Sequence, residues 1–320
     1  MKLALIYDKN DHKLIESSYS QTYKHMLDAL VQKFENVTHI HDSCHAKDID
    51  ADVIIFYDIH SSHHIEIEGL RDHSAIKYSY YNDPHQLSMK GVYKDGTPVN
   101  KLGAKSRVAR SLSRGINFII CPYTDGFNQF IAPHLGSDAE SMFLWFPVAP
   151  RKQSITIRPL IERRQTVVAN GHLWHGREDF KPYEFRNWAY RRPNIEYIPH
   201  YLSAPHVYHG NSFMYMLSKW AGALALTDLY VVPKYLEIPL AGCLCVAQKR
   251  EDYVRMGFKD NEHCIYVDYS NFDAVVDSFM RNIVEYQFIA DNGRKLVENN
   301  YTAKHFAEFV YKHCKTKLGI

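Results

Sequence analysis

The feature that most constrains this chain is an alternation. Short apolar runs are separated by stretches whose apolar residues recur at helical spacing. Leu3–Tyr7 is such a run, and Gln21–Phe34 follows it with Tyr23, Met26, Leu27, Leu30, Val31 and Phe34 at helical intervals. Val53–Tyr57, Ala75–Tyr80 and Phe118–Cys121 are further candidates for buried strands. A strand that is apolar on consecutive residues is buried on both faces, as in a parallel sheet covered by helices. Strand, helix, strand at this spacing implies parallel crossovers and a doubly wound α/β sheet.

The alternation pauses and restarts. Pro147, Pro150 and Pro159 stand among Arg151, Lys152, Arg158, Arg163 and Arg164, the composition of a solvated interdomain segment. Beyond it, Thr166–Ala169, Ile195–Ile198, Cys243–Val246 and Cys264–Val267 read as strands. Phe213–Leu226 reads as a helix running into a strand, and Phe272–Asn292 and Ala303–Lys315 as amphipathic helices. The expected architecture is two Rossmann-like domains facing a cleft, residues 1–155 and 156–320, with the last helix, Ala303–Lys315, packing back on the first domain. In such sheets, ligands sit at the carboxyl ends of the strands.

Composition narrows the function classes. A length of 320 residues suits about two domains. Apolar residues make up 46% and charged residues 23%, which excludes wholesale disorder and a coiled coil. The net charge of +2 gives no support to a polyanion-driven nucleic-acid binder. No apolar run reaches the ~18 residues of a membrane span, and the start is too short in apolar residues for a signal peptide. Cys44, Cys121, Cys243, Cys245, Cys264 and Cys314 form no CxxC pair and read as reduced core thiols of a cytoplasmic protein. The 23 Tyr and 19 His suit a polar ligand cleft, because such side chains pair an apolar body with a polar tip. There is no GxGxxG, Walker loop or GxSxG elbow.

The most informative stretch is Lys234-Tyr235-Leu236-Glu237-Ile238-Pro239-Leu240-Ala241-Gly242, followed by the apolar Cys243–Val246. A cation stands three before a Glu, and the Glu five before a Gly that opens a strand. Downstream come Ile265-Tyr266-Val267-Asp268-Tyr269 and Asn299-Asn300-Tyr301-Thr302. This stretch resembles the donor-binding domain of GT-B glycosyltransferases. More narrowly, it is similar to the CgeB-type branch, named for spore maturation, with its K-x-x-E-I-P-A-A-G signature. Val167–Gly171 followed by Tyr183-Glu184-Phe185-Arg186 resembles the branch's strand-G … Y-P-x-R opening, with Glu184 in place of the usual Pro. The resemblance covers roughly residues 163–315 in motif and 1–150 in architecture only.

The resemblance implies a transferase that moves a sugar from a nucleoside diphosphate to a hydroxyl. Glu237 would accept hydrogen bonds from the ribose diol, strengthened by its charge. Lys234 and Arg186 would face the diphosphate, Gly242 would admit close backbone approach, and Gly171 and His172 would line the donor side. Basic side chains and helix N-termini can replace a metal in stabilising the leaving group, so no metal or other cofactor is expected. Retaining GT-B enzymes carry a second Glu eight residues before the first. Leu229 occupies that position here, with Asp228 beside it, which leaves the stereochemistry open.

The acceptor half offers groups just past strand ends. Asp83 and His85 are the first candidates for catalysis and Asp58 and His60 the second, each an Asp–X–His pair able to tune one imidazole. Tyr123-Thr124-Asp125 follows a third strand. The expected acceptor, by analogy alone, is a cell-surface, lipid-linked or other envelope glycan, with the basic segment as a contact for an anionic membrane. Three rival readings stand beside this one. Asp58-x-His60-x-x-His63-His64 has metal-ligand character and would suit a metal-dependent hydrolase. A binding module that kept the shape but lost turnover is the second. A phage-type enzyme that glycosylates DNA bases is the third.

Overall fold

Each apolar run singled out above forms a strand in the structure. The structure is a computed structural model that describes residues 1–11, 14, 21–57, 65–82, 84, 104–171, 173, 183–199 and 211–320. In chain order the strands are β1 (Lys2–Ile6), β2 (Asn36–Ile40), β3 (Cys44–His45), β4 (Val53–Phe56), β5 (Ile67–Glu68), β6 (Ile76–Tyr80), β7 (Phe118–Cys121) and β8 (Phe143–Trp145). They continue as β9 (Arg164–Gly171), β10 (Ile195–Pro199), β11 (Trp220–Ala225), β12 (Leu244–Gln248) and β13 (Ile265–Val267).

The chain divides into two units. The first comprises Met1–Ile15, Lys24–Pro147 and Phe306–Ile320; the second comprises Glu16–Tyr23 and Val148–His305. The division falls at Pro147/Val148, where the sequence reading draws it at 155/156.

In the first unit six parallel strands run in the order β2-β1-β4-β6-β7-β8, while β3 and β5 form a small parallel pair. Leu3–Ile6 and Val53–Phe56 are buried along their length, as central strands of a covered sheet must be. The edge strand β2, Asn-Val-Thr-His-Ile, is largely exposed, and its lack of an apolar run hid it from the sequence reading. The end of the helix Ala303–Leu318 belongs to this unit's core. Phe306, Val310 and Cys314 are buried, and Tyr78 hydrogen-bonds His313 Nδ1 at 2.8 Å.

In the second unit five parallel strands run β10-β9-β11-β12-β13. Their side chains alternate between two covered faces. Val167, Ala169, Leu244 and Val246 share a core cluster with Phe185, Phe272, Val276 and Phe279. Cys245 faces the other way and meets the Tyr253 hydroxyl. Both units are thus Rossmann-like α/β sheets, as the alternation implies.

Two expectations need correction here. The basic segment is only partly solvated. Pro147 to Pro150 are buried, and so are Leu160 and Arg163. The Arg163 guanidinium donates to the carbonyls of Arg158 (2.9 and 2.7 Å) and Ala241 (3.2 Å), and lies 3.6 Å from Cys243 Sγ. It ties the segment that enters β9 to the turn that leads into β12. The second correction concerns Phe272–Asn292, which is not one helix. It breaks after Arg281 at Asn282, and a short turn over Ile283–Tyr286 leads into the helix Gln287–Asn300.

Candidate functional site

The carboxyl edge of the second sheet gathers the charged groups. β9 ends at Gly171 with φ of 125°, a conformation that favours glycine. β11 ends at Ala225, and the chain then crosses the edge through Thr227 and Asp228 to the helix Lys234–Leu240. That helix is short for physical reasons. Pro233 precedes it with a helical φ, Pro239 cannot donate within it, and Gly242 closes it with φ of 71°. Its first turn therefore presents Lys234 and Glu237 together at the edge.

Lys234 reaches back over Gly171. A Cβ at Gly171 would stand 2.5 Å from Lys234 Nζ, so any larger residue would displace the ammonium. Glu237 is 7% exposed, and its Oε1 accepts a 2.8 Å hydrogen bond from the Thr22 hydroxyl. Arg186, on the helix Glu184–Ala189, is buried. Its Nε donates to the Leu226 carbonyl at 2.9 Å, and its guanidinium lies 3.7 Å from the centre of the Tyr183 ring, with Tyr190 at 6.0 Å. The hydroxyls of Tyr190 and Tyr197 donate to the carbonyls of Asn170 and Gly171 at 2.9 and 3.1 Å, which fixes the end of β9.

The electrostatics of this cluster are unbalanced. Burial pushes the Lys234 ammonium well below its ordinary value, and repulsion from Arg186 adds to the effect, while Glu237 partly opposes it. Burial raises the Glu237 carboxyl to about 7, against the Thr22 hydrogen bond and the Lys234 charge, which both favour the anion. Arg186 is destabilised by burial, yet the hydroxyls of Tyr190, Tyr183 and Tyr235 outweigh that and raise its pKa. Among the described residues, two basic side chains thus sit with one carboxyl, Glu237, whose pKa burial raises to about 7. An anion beside them would relieve the Lys234–Arg186 repulsion and favour the charged form of Lys234.

Asp228 is accounted for otherwise. Its Oδ2 accepts from the Phe185 amide (3.2 Å) and its Oδ1 from Gln248 Nε2 (2.8 Å), while Arg250 donates to its carbonyl (2.9 Å). It clamps the loop after β11 to the end of β12 and to the start of the Glu184–Ala189 helix. Beside this clamp, an open pocket of about 530 Å³ is lined by Gln248, Arg250, Lys259, Tyr266, Asp268 and Asn271 among others.

The structure brings Glu237, Lys234, Gly171 and Arg186 to one edge. Gly242 is not with them, contrary to its expected place on the donor side. It precedes β12 and lies at the amino edge, where a Cβ would meet Ile157 at 2.8 Å and Arg163 at 2.9 Å. Its glycine serves the turn and the close approach of Arg163, both on the side away from the carboxyl ends. Asp58, His60, Asp83, His85 and His172 lie outside the described residues, as do His63 and His64. Among the described residues no three His, Cys, Asp or Glu side chains are grouped to hold a metal ion, and no helix is long and apolar enough to cross a membrane. All six cysteines are free thiols. Sequence reasoning missed Thr22, Tyr183 and Tyr190. Tyr183 stood three before Arg186 in the quoted motif, while Thr22, 215 residues from Glu237, carried no local signal.

Comparison with known proteins places the fold. Neither a family profile nor a curated protein matches the chain by sequence. Among solved structures, Anabaena HepE in complex with UDP-glucose superposes with a TM-score of 0.57 at 8% identity, over 99% of this chain and 100% of that one. A glycosyltransferase from Rickettsia africae superposes with a TM-score of 0.56 at 9% identity, over 99% and 98%. The chain spans only 58% of the length of the GtfA/B structure, which it matches at 11% identity with a TM-score of 0.49. The fold is that of GT-B glycosyltransferases.

Proposed function

We propose that the protein is a glycosyltransferase that draws on a nucleoside diphosphate sugar, with a uridine nucleotide as the first candidate. The observation that carries this reading is the cluster of Lys234, Arg186 and Glu237 at the carboxyl edge of the second sheet. Ligands of open α/β sheets sit at that edge. A diphosphate meets the demand of the two cations, and a ribose diol suits a nearby carboxylate. HepE, which shares the fold, was solved with UDP-glucose, and with UDP and glucose.

The chemistry follows from these groups. An acceptor hydroxyl attacks the anomeric carbon, the bond from that carbon to the diphosphate oxygen breaks, and the hydroxyl proton passes to a base. Negative charge accumulates on the departing diphosphate. Lys234 and Arg186 would stabilise that charge more in the transition state than in the ground state, which is where binding accelerates a reaction. The narrower relationship, to CgeB-type enzymes, rests on the Lys234–Gly242 motif. The reading extends to a glycan or lipid-linked acceptor of the cell surface, a cytoplasmic site of action, transfer without a metal cofactor, and catalysis by Asp83/His85 or Asp58/His60.

The test is calorimetric titration of the purified chain with UDP, GDP, ADP and CDP, with and without a divalent metal, beside Glu237→Gln and Lys234→Ala. The expected result is one diphosphate that binds the wild type and loses roughly tenfold or more in each variant, the scale of one charged hydrogen bond. Binding by none of the four, under either condition, would overturn the reading and return attention to Asp58 and His60.

A further inference from the structure

Thr22 and Glu237 are far apart in the sequence, yet both belong to the second unit. Their side chains meet in a buried place: Thr22 is 2% exposed, Glu237 is 7% exposed, and the hydrogen bond between them is 2.8 Å. Burial of a carboxyl is costly unless its oxygens are satisfied. A glutamate also has several rotatable bonds, and fixing them costs conformational entropy. A donor seated on Oε1 lifts both penalties before any ligand arrives. It does so without consuming the group, because a carboxylate offers about four lone-pair sites and one hydroxyl occupies one of them. The opposite assignment, in which a protonated Glu237 donates to Thr22, would aim the carboxyl hydrogen away from an incoming ligand and leave Oε2 as acceptor. Either way Thr22 sets the plane of the carboxyl group.

We propose that Thr22 is a positioning residue whose hydroxyl holds the Glu237 carboxyl in the plane from which it accepts the hydroxyls of a bound ribose. This rests on the nucleoside diphosphate reading above and adds a consequence to it. The specificity for ribose over deoxyribose is set by a residue that need not touch the nucleotide. Lys234 and Arg186 act on the diphosphate, so their contribution is independent of Thr22. Among the described residues the electrostatic neighbours of Glu237 are Lys234, on its own helix, and Thr22, with Arg186 beyond Lys234.

The experiment measures affinity for UDP, 2′-deoxy-UDP and inorganic pyrophosphate at pH 8, in wild type, Thr22→Val and Thr22→Ser. Wild type should prefer UDP to 2′-deoxy-UDP by about tenfold, the value of one charge-assisted hydrogen bond. Thr22→Val should reduce that preference to about two- or threefold and leave pyrophosphate affinity unchanged. Thr22→Ser, which keeps the hydroxyl, should retain the wild-type preference. Should Thr22→Val fail to fold, Thr22→Ala is the second hydroxyl-free variant. A hydroxyl-free variant that folds and keeps the wild-type ratio overturns the inference while the nucleotide reading stands, and so does one that loses pyrophosphate affinity in the same proportion as UDP. A wild type that binds no nucleotide removes both.

Discussion

At the scale of single residues, burial and pairing decide what each charged group does. Glu237 titrates near 7 in the fold against an ordinary value of 4.5. The folded chain therefore holds a proton that the unfolded chain has released in that window, and stability falls as pH rises from about 4.5 to 7. Lys234, whose folded pKa is lowered, gives the opposite slope between its depressed value and 10.5. Glu237→Gln should flatten the acid-side slope, an effect on the order of 3 kcal/mol across the window. Urea midpoints from pH 4 to 8 check it, and parallel slopes in variant and wild type would count against it. Arg163 shows the reverse case, a cation that a sequence reader assigns to a solvated linker. Arg163→Met strands the carbonyls of Arg158 and Ala241 and should cost about 2–4 kcal/mol. The thermal midpoint should drop by several degrees; a shift within a degree would mean that water replaces the guanidinium.

At the scale of elements, glycine positions separate packing from flexibility. Gly293 lies inside the helix Gln287–Asn300, where glycine ordinarily costs about 1 kcal/mol relative to alanine. A Cβ there would overlap the His263 carbonyl oxygen and stand 3.5 Å from Pro239. The helix thus lies against backbone that cannot retreat cheaply. Gly293→Ala should destabilise by about 1–3 kcal/mol despite its helix propensity, as measured by denaturant unfolding. A stabilised variant would show that this contact yields. The elements most legible in the sequence were the central strands, because Val53–Phe56 and Leu244–Ala247 are apolar on every residue. Edge strands such as β2 were not legible, since a half-exposed strand lacks that run. Nor was the break at Asn282, because the residues on both sides of it keep an amphipathic pattern.

At the scale of the whole molecule, the alternation of periods was enough to read two parallel α/β sheets, and solved structures at about 8–9% identity share the fold. The candidate cluster was legible where its members are neighbours in sequence, as with Lys234 and Glu237. It was illegible where tertiary folding supplies the partner, as with Thr22, or where a motif glycine serves the opposite edge, as with Gly242. A nucleoside diphosphate bound as proposed should slow amide hydrogen exchange over residues 167–171, 184–189 and 234–241. Exchange in β4, β6 and β7 should stay as it is without ligand. Protection confined to the first unit instead would move the nucleotide site there.

The first unit is assembled from three stretches of chain, the last beginning at Phe306. Phe306, Val310 and Cys314 are buried, and His313 meets Tyr78, so the first sheet cannot close its core until these residues are made. The core of the first-made strands is therefore finished only by the last-made of the unit's three stretches. Nascent chains stalled before Phe306 would carry an incomplete first sheet with apolar surface uncovered, the state in which chaperones engage and aggregation begins.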